Sequence, residues 1–312
     1  MQDFNSPEEW GAFIKASTVI PEGFRFATTA LEFLPKERPA SKPYPMRMSL
    51  ISLDRPTTAF AGVFTRNAFP GAPVLLNREL LAGDQTQAIL INNKISNVGS
   101  PTGLADARAL TTEAARLLGI RSDLVMAAST GIIGWSLPVT RMVQAMPDLA
   151  HGHPATPLEI ARAIMTTDSY PKAFSVKVGQ GHVFGIAKGA GMIEPNMATM
   201  LVFLMTDLDQ PRSELQASLG RVVDATFNCI SVDSDQSTSD MCILLSSQRK
   251  PRVAQPEFEA ALYQLCENLA THVVRNGEGT AHVMRVTVKG LGDDRICREA
   301  GKAIVNSPLV KT

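Results

Sequence analysis

Gly185-Ile186-Ala187-Lys188-Gly189-Ala190-Gly191-Met192-Ile193-Glu194-Pro195-Asn196-Met197-Ala198-Thr199-Met200-Leu201-Val202-Phe203-Leu204-Met205-Thr206-Asp207 is the stretch on which the reading of this chain turns. A Gly-rich turn carries one lysine. A polar elbow, Glu194-Pro195-Asn196, follows, and a hydrophobic run from Met200 to Met205 closes at Thr206-Asp207. A run of that length after a Gly/Pro/Asn cluster predicts a strand buried on both faces. Thr199 falls where elbow becomes strand, so its hydroxyl would sit on a rigid element facing a cleft. On pattern alone it is an ordinary strand-edge threonine, selected for β-propensity and packing.

Working outward, Ala173–Val178 and Val183–Ala187 flank Gly179-Gln180-Gly181 and predict a hairpin leading into this stretch. Thr156-Pro157-Leu158-Glu159 is a capping box opening a helix to about Met165. Leu124–Ala128 predicts a strand running into Ser129-Thr130-Gly131-Ile132-Ile133-Gly134. Gly103–Leu118 is an amphipathic helix, with Leu104, Ala107, Leu110, Ala114 and Leu117 on one face and Gly119 as its stop. Further strands are predicted at Met48–Leu53, Ala59–Thr65, Val74–Leu76 and Ala88–Ile91. Ser6-Pro7-Glu8-Glu9 starts a short helix, and Pro35, Pro39, Pro43 and Pro45 mark an irregular loop. His151 and His153 read as loop. On the C-terminal side come a helix over Pro211–Asn228, a polar loop over Asp233–Asp240 and a strand over Met241–Leu245. A helix over Pro256–Arg275, a turn over Asn276–Thr280, an alternating strand over Val283–Lys289 and a helix over Asp293–Val305 complete the chain. Mixed helices and antiparallel pairs predict an α/β fold of layered sheets with flanking helices rather than a βαβ series.

Thirty basic and thirty acidic residues cancel, which leaves no field for nucleic acid or a membrane surface. No apolar run approaches a membrane span, and Met1-Gln2-Asp3-Phe4 lacks the layout of a signal peptide, so the expected location is the cytoplasm. Apolar content of 45% against 19% charged predicts a substantial core. Cys229, Cys242, Cys266 and Cys297 show no C-x-x-C spacing and read as reduced thiols. His151 and His153 lack a nearby third ligand, so no metal site is expected. There is no G-x-S-x-G elbow, and Gly179-x-Gly181 lacks the third glycine of a dinucleotide fingerprint.

The Gly185–Asp207 stretch resembles the cleavage-and-nucleophile motif of the ornithine acetyltransferase (glutamate N-acetyltransferase) family. The resemblance runs from about Val19 to the last residue. It implies a precursor that cuts itself between Ala198 and Thr199 into an α chain, residues 1–198, and a β chain, residues 199–312, with Thr199 as the nucleophile. The chemistry is coherent. A hydroxyl is a poor nucleophile near neutral pH, whereas an α-amine with a reference pKa of about 7.7–8.0 can accept its proton. Thr199 has such an amine only once the bond before it is cut. A strained Ala198 carbonyl beside the Thr199 hydroxyl would favour the N→O acyl shift that cuts it.

The same resemblance makes Thr130 and Gly131 the oxyanion donors; apart from it they form a Gly turn after a strand. Thr166 would line the acyl-amino-acid pocket, Lys188 would bind the substrate carboxylate, and Glu278 would take the substrate amine. Without the resemblance these three read as a helix end, a surface lysine and a solvated turn. The implied reaction moves an acetyl group from N-acetylornithine to glutamate in arginine biosynthesis, by ping-pong exchange through acyl-Thr199. No metal or cofactor is implied, and acetyl-CoA serves as donor only in bifunctional members. The expected partners are small amino-acid substrates and the two chains of the precursor, assembled into a higher oligomer.

Three departures qualify the resemblance. Residues 1–18 and the Pro-rich loop are additions. Asn92-Asn93-Lys94-Ile95-Ser96-Asn97 stands where the family has a small Gly/Asn/Ala segment. The tail that supplies an Asn and a Ser/Thr to the family's substrate site has no counterpart, so the expectation is a shortened form or an incomplete pocket. Two alternatives follow: a related acyltransferase or amidase of specialised metabolism, and an uncleaved, non-catalytic homologue.

Overall fold

The structure is a computed structural model that describes residues 6–39, 41–194 and 200–311. In chain order its elements are α1 (Pro7–Ser17), β1 (Phe24–Phe33), β2 (Tyr44–Thr57), β3 (Phe60–Phe64), α2 (Ala72–Leu81), β4 (Thr86–Asn92), α3 (Gly103–Leu118), β5 (Val125–Ser129), α4 (Val139–His151) and α5 (Pro157–Ala163). They continue with β6 (Lys172–Val178), β7 (Gly181–Lys188), β8 (Leu201–Leu208), α6 (Arg212–Ala225), β9 (Met241–Lys250), α7 (Gln255–Arg275), α8 (Asp294–Val305) and α9 (Pro308–Lys311).

The strands form two sheets, ordered β1-β2-β4-β5 and β3-β9-β8-β7-β6. The β4–β5 and β8–β9 pairs are parallel and the other pairs antiparallel. Side-chain alternation along the first sheet explains the layering. Ile51, Ile89, Ile91 and Met126 face the second sheet, where Phe26 stacks on Phe184 at 5.6 Å between ring centroids. Met48, Leu50 and Leu90 face the other way, onto Leu110 and Ala114 of α3 and Met142, Met146 and Leu149 of α4. The second sheet carries α6 and α7 on its outer face, so β8 is buried at all eight positions, as a strand covered on both sides must be. The result is four layers, helix–sheet–sheet–helix. The expected α/β class of layered sheets with flanking helices holds.

Three expectations fail locally. Val74–Leu76 belongs to α2, not a strand: Pro73 at its first turn and Arg78-Glu79 beyond are helix signals that a three-residue window cannot register. Val283–Lys289 alternates but forms no strand; among the described residues no strand pairs with it, and most of the segment is exposed. His151 closes helix α4, Val139–His151, rather than lying in a loop; an internal Pro147 obscures that helix's 3.6-residue period. Among the described residues no helix is long and apolar enough to cross a membrane.

Candidate active site

Two parallel pairs, β4–β5 and β8–β9, bring several loops to one end of the sheets, where a cleft of about 810 Å³ opens. Its walls include Thr130 and Gly131 after β5, Thr166 after α5, Lys188 at the end of β7, Met200 beside the start of β8, and Glu278 beyond α7. Every site residue expected from sequence within the described chain therefore lines one cavity. Ala198 and Thr199, the expected scissile pair, lie outside the described residues; their neighbour Met200 lines the cleft.

The wall after β5 is built from backbone. The Thr130 N–H donates to Asn92 O at 3.1 Å, and the Ile132 N–H to Lys94 O at 2.9 Å. Ile95 and Ile132 form a parallel bridge. Gly131, at φ +129°, is compressed between them: a Cβ there would stand 2.2 Å from the Lys94 carbonyl carbon. Only glycine fits. Among the described residues the Gly131 N–H finds no acceptor, and neither does the Thr130 hydroxyl. Donors of this kind beside a cavity suit a developing oxyanion. Asn92 braces the turn from below, its side chain accepting from Ser129 Oγ at 2.7 Å and donating to Ile95 O at 2.8 Å.

The opposite wall is held by side chains. Lys188 has no carboxylate within ion-pairing distance among the described residues, which leaves its ammonium available to an anionic ligand. The Glu278 N–H donates to Ala190 O at 2.9 Å, and its carboxylate lies so close to Gly191 that a Cβ there would meet Oε1 at 2.7 Å. Thr166 is exposed to the cleft, and its N–H donates to Asp168 Oδ2 at 3.0 Å. The Asp233–Asp240 loop, a bare polar loop on sequence, closes the third side. The Asp233 carboxylate receives the N–H groups of Met192 at 2.6 Å and Ile193 at 2.7 Å, fixing a turn in which Met192 has φ +58°. Glu194 pairs with Lys302 of α8 at 3.0 Å.

Sequence pattern alone does not single out Asp233, and Asn93 and Lys94, within the segment that departs from the family's, line the cleft. The Asp-Ser-Asp turn chemistry was visible, but its partner forty residues upstream was not. Among the described residues no group of three His, Cys, Asp or Glu is placed to hold a metal ion.

A helix–sheet–sheet–helix frame, whose end cleft gathers the Thr130–Gly131 turn, hydroxyls and a lysine without a carboxylate partner among the described residues, suits acyl transfer. The ArgJ family pattern matches residues 40–312, and the chain belongs to the ArgJ family. It is 37% identical over 297 residues to an arginine biosynthesis bifunctional protein ArgJ of Rhodococcoides fascians, covering 95% of this chain and 72% of that one. It is 44% identical over 268 residues to the protein of the same name from Methylococcus capsulatus, covering 82% and 65%. Glutamate N-acetyltransferase Oat2 of Streptomyces clavuligerus is 38% identical over 266 residues, covering 85% and 67%. The chain thus spans about two thirds of the length of the curated relatives it matches.

Proposed function

We propose that this chain is a glutamate N-acetyltransferase of arginine biosynthesis, moving an acetyl group from N-acetylornithine to glutamate in the cytoplasm. Self-cleavage comes first. The Thr199 hydroxyl attacks the Ala198 carbonyl, the resulting ester is hydrolysed, and the α-amine of Thr199 is freed. That amine then takes the proton of its own hydroxyl as the oxygen attacks the acetyl carbonyl. The oxyanion is held by the Thr130 hydroxyl and the Gly131 N–H. Collapse releases ornithine, and the amine of glutamate takes the acetyl group from Thr199 in a second attack through the same hole. Lys188 binds the substrate carboxylate, Thr166 lines the acyl-amino-acid pocket, and Glu278 receives the substrate amine. Residues 1–198 and 199–312 stay associated and assemble into a higher oligomer. No metal or organic cofactor takes part, and N-acetylornithine is the acetyl donor.

The observation that carries this reading is convergence: Thr130 and Gly131, Thr166, Lys188 and Glu278 come from four separate segments and line one cleft beside Met200. Membership of the ArgJ family and the names of its relatives support it above the specialised-metabolism and non-catalytic alternatives.

The test is intact mass and N-terminal sequencing of freshly purified protein beside Thr199→Ala, followed by acetyl exchange from N-acetylornithine to glutamate. The expected result is a fragment beginning Thr199-Met200-Leu201 in the wild type, an uncut mutant, and exchange by the wild type alone. An uncut wild type, or a cut one without exchange, overturns the reading.

A further inference from the structure

Beneath the side-chain-held wall lies an ion pair that the acyl-transfer scheme does not use. Asp168 and Lys172 are both fully buried, with Nζ 2.7 Å from Oδ1. Taking two charges out of water costs more than their attraction often returns, so such a pair is weak ground for stability by itself. Its hydrogen bonds point to another use. Asp168 Oδ2 accepts the Thr166 N–H at 3.0 Å, and Oδ1 accepts the Gly189 N–H at 2.8 Å as well as the lysine. Lys172 donates onward to Asn276 Oδ1 at 2.7 Å, and the same oxygen accepts the Ser169 N–H at 3.1 Å. Thr166, Gly189 next to Lys188, and Asn276 two residues before Glu278 are thus tied to one point.

Three chain segments, far apart in sequence and each carrying one cleft residue, meet on this pair. Burial acts most strongly on both partners. It would push the Asp168 carboxyl up, but Lys172 and Lys188 outweigh it and leave the group below the usual carboxylate range. Burial draws the Lys172 ammonium below its ordinary value against the pull of Asp168. Lys188 therefore stands in the field of the Asp168 carboxylate, although it forms no bond to it.

We infer that Asp168, Lys172 and Asn276 form a positioning hub that sets the mutual geometry of Thr166, Lys188 and Glu278, and so the site's affinity for its amino-acid substrate. The hub touches no ligand. It acts through backbone: a carboxylate that anchors two N–H groups on different loops fixes their spacing, and the lysine fixes that carboxylate to the end of α7. This inference rests on the proposed function for the identity of the ligand.

The experiment compares wild type, Lys172→Met, Asp168→Asn and the double variant in three measurements: Tm, KM and kcat for acetyl exchange, and calorimetric affinity for ornithine. Each single variant leaves an unmatched buried group, so Tm falls. A displacement of about 1 Å at the cleft wall costs between about tenfold and a hundredfold, expected here mainly in KM and in ornithine affinity, with kcat changed less. The double variant removes both charges together. It should recover most of the lost Tm while its KM and ornithine affinity stay impaired. A double variant that regains wild-type KM along with Tm makes the pair structural only and overturns the inference. So do single variants with lowered Tm and unchanged KM. Where a single variant fails to fold, the double variant decides. A wild type that binds ornithine but transfers nothing defeats the proposed function and leaves the affinity comparison to test the hub.

Discussion

The two walls of the cleft are built on different principles. At Thr130–Gly131 the shape is set by main chain: two strand ends, a parallel bridge, and a glycine whose missing Cβ lets the Lys94 carbonyl pass within contact. At Thr166, Lys188 and Glu278 the shape is set by buried charge and its hydrogen bonds. A wall of the first kind is indifferent to pH and to most side-chain changes but intolerant of any side chain at one position. A wall of the second kind yields to protonation and to charge substitution. For an acyl-transfer site this division is useful, because the donors that must not move are held by bonds that do not titrate.

Gly131→Ala is the sharpest way to break the first wall. The added Cβ meets the backbone of Lys94, which cannot step aside as a flexible side chain could. A loss of about 4 kcal/mol or more in unfolding free energy is expected, in the range reserved for severe steric or strain effects. Chemical denaturation measures it, and a loss under about 1 kcal/mol would show that the turn is pliant after all.

Acid should strain the second wall. His272, behind the hub on α7, is pushed down to about 4, first by burial and then by Arg275 and Lys172. Its Nδ1 lies 3.2 Å from the Tyr170 hydroxyl, and its ring stacks on Trp10 at 4.7 Å. Between the unfolded value of about 6.5 and this folded value, the unfolded chain takes up a proton that the folded one refuses. The contribution is therefore fully present above that window and lost as pH falls through it. Asp168, with its carboxyl held low, contributes stability that is lost further into acid. Tm followed from pH 7 to pH 4 should fall, and His272→Gln should flatten the curve. An unchanged slope in the variant would assign the acid sensitivity elsewhere.

The smallest effect is expected at the surface, where Arg116 donates to Glu113 at 2.7 and 2.8 Å on the exposed side of α3. Solvent screens this pair, so Arg116→Ala should leave Tm and turnover unchanged within error. A measurable drop would mean that an exposed pair contributes as a buried one does, and the contrast between the walls would lose its meaning.

Legibility in the sequence followed the same division. α3 was readable to the residue, because four periodic turns end on Gly119, which adopts the left-handed conformation at φ +68°. The Thr156–Glu159 capping box was equally plain, since both its bonds are local. The β6–β7 hairpin followed from its Gly-Gln-Gly turn. Val74–Leu76 was too short to reveal its period, Pro147 hid that of α4, and Val283–Lys289 carried a strand pattern without a partner to satisfy it. Within the site, Thr130, Gly131, Thr166, Lys188 and Glu278 were reachable through one motif and its family. Asp168 and Lys172 were not. Four residues apart near a helix end, they look like a solvated pair, and only the fold brings Asn276 to them from 104 residues away.

The order of the second sheet has a bearing on how the chain is made. β3 ends that sheet, and its neighbour is β9, with Phe60 opposite Leu245 and Phe64 opposite Met241. A ribosome adding 5–20 residues per second places β3 outside the tunnel some ten to forty seconds before its partner exists. All five of its residues are buried in the finished protein, so for that interval an apolar strand waits without a mate. Until β9 emerges, the edge that β3 offers is open to pairing with any other exposed strand, which makes this the stretch of synthesis most exposed to aggregation.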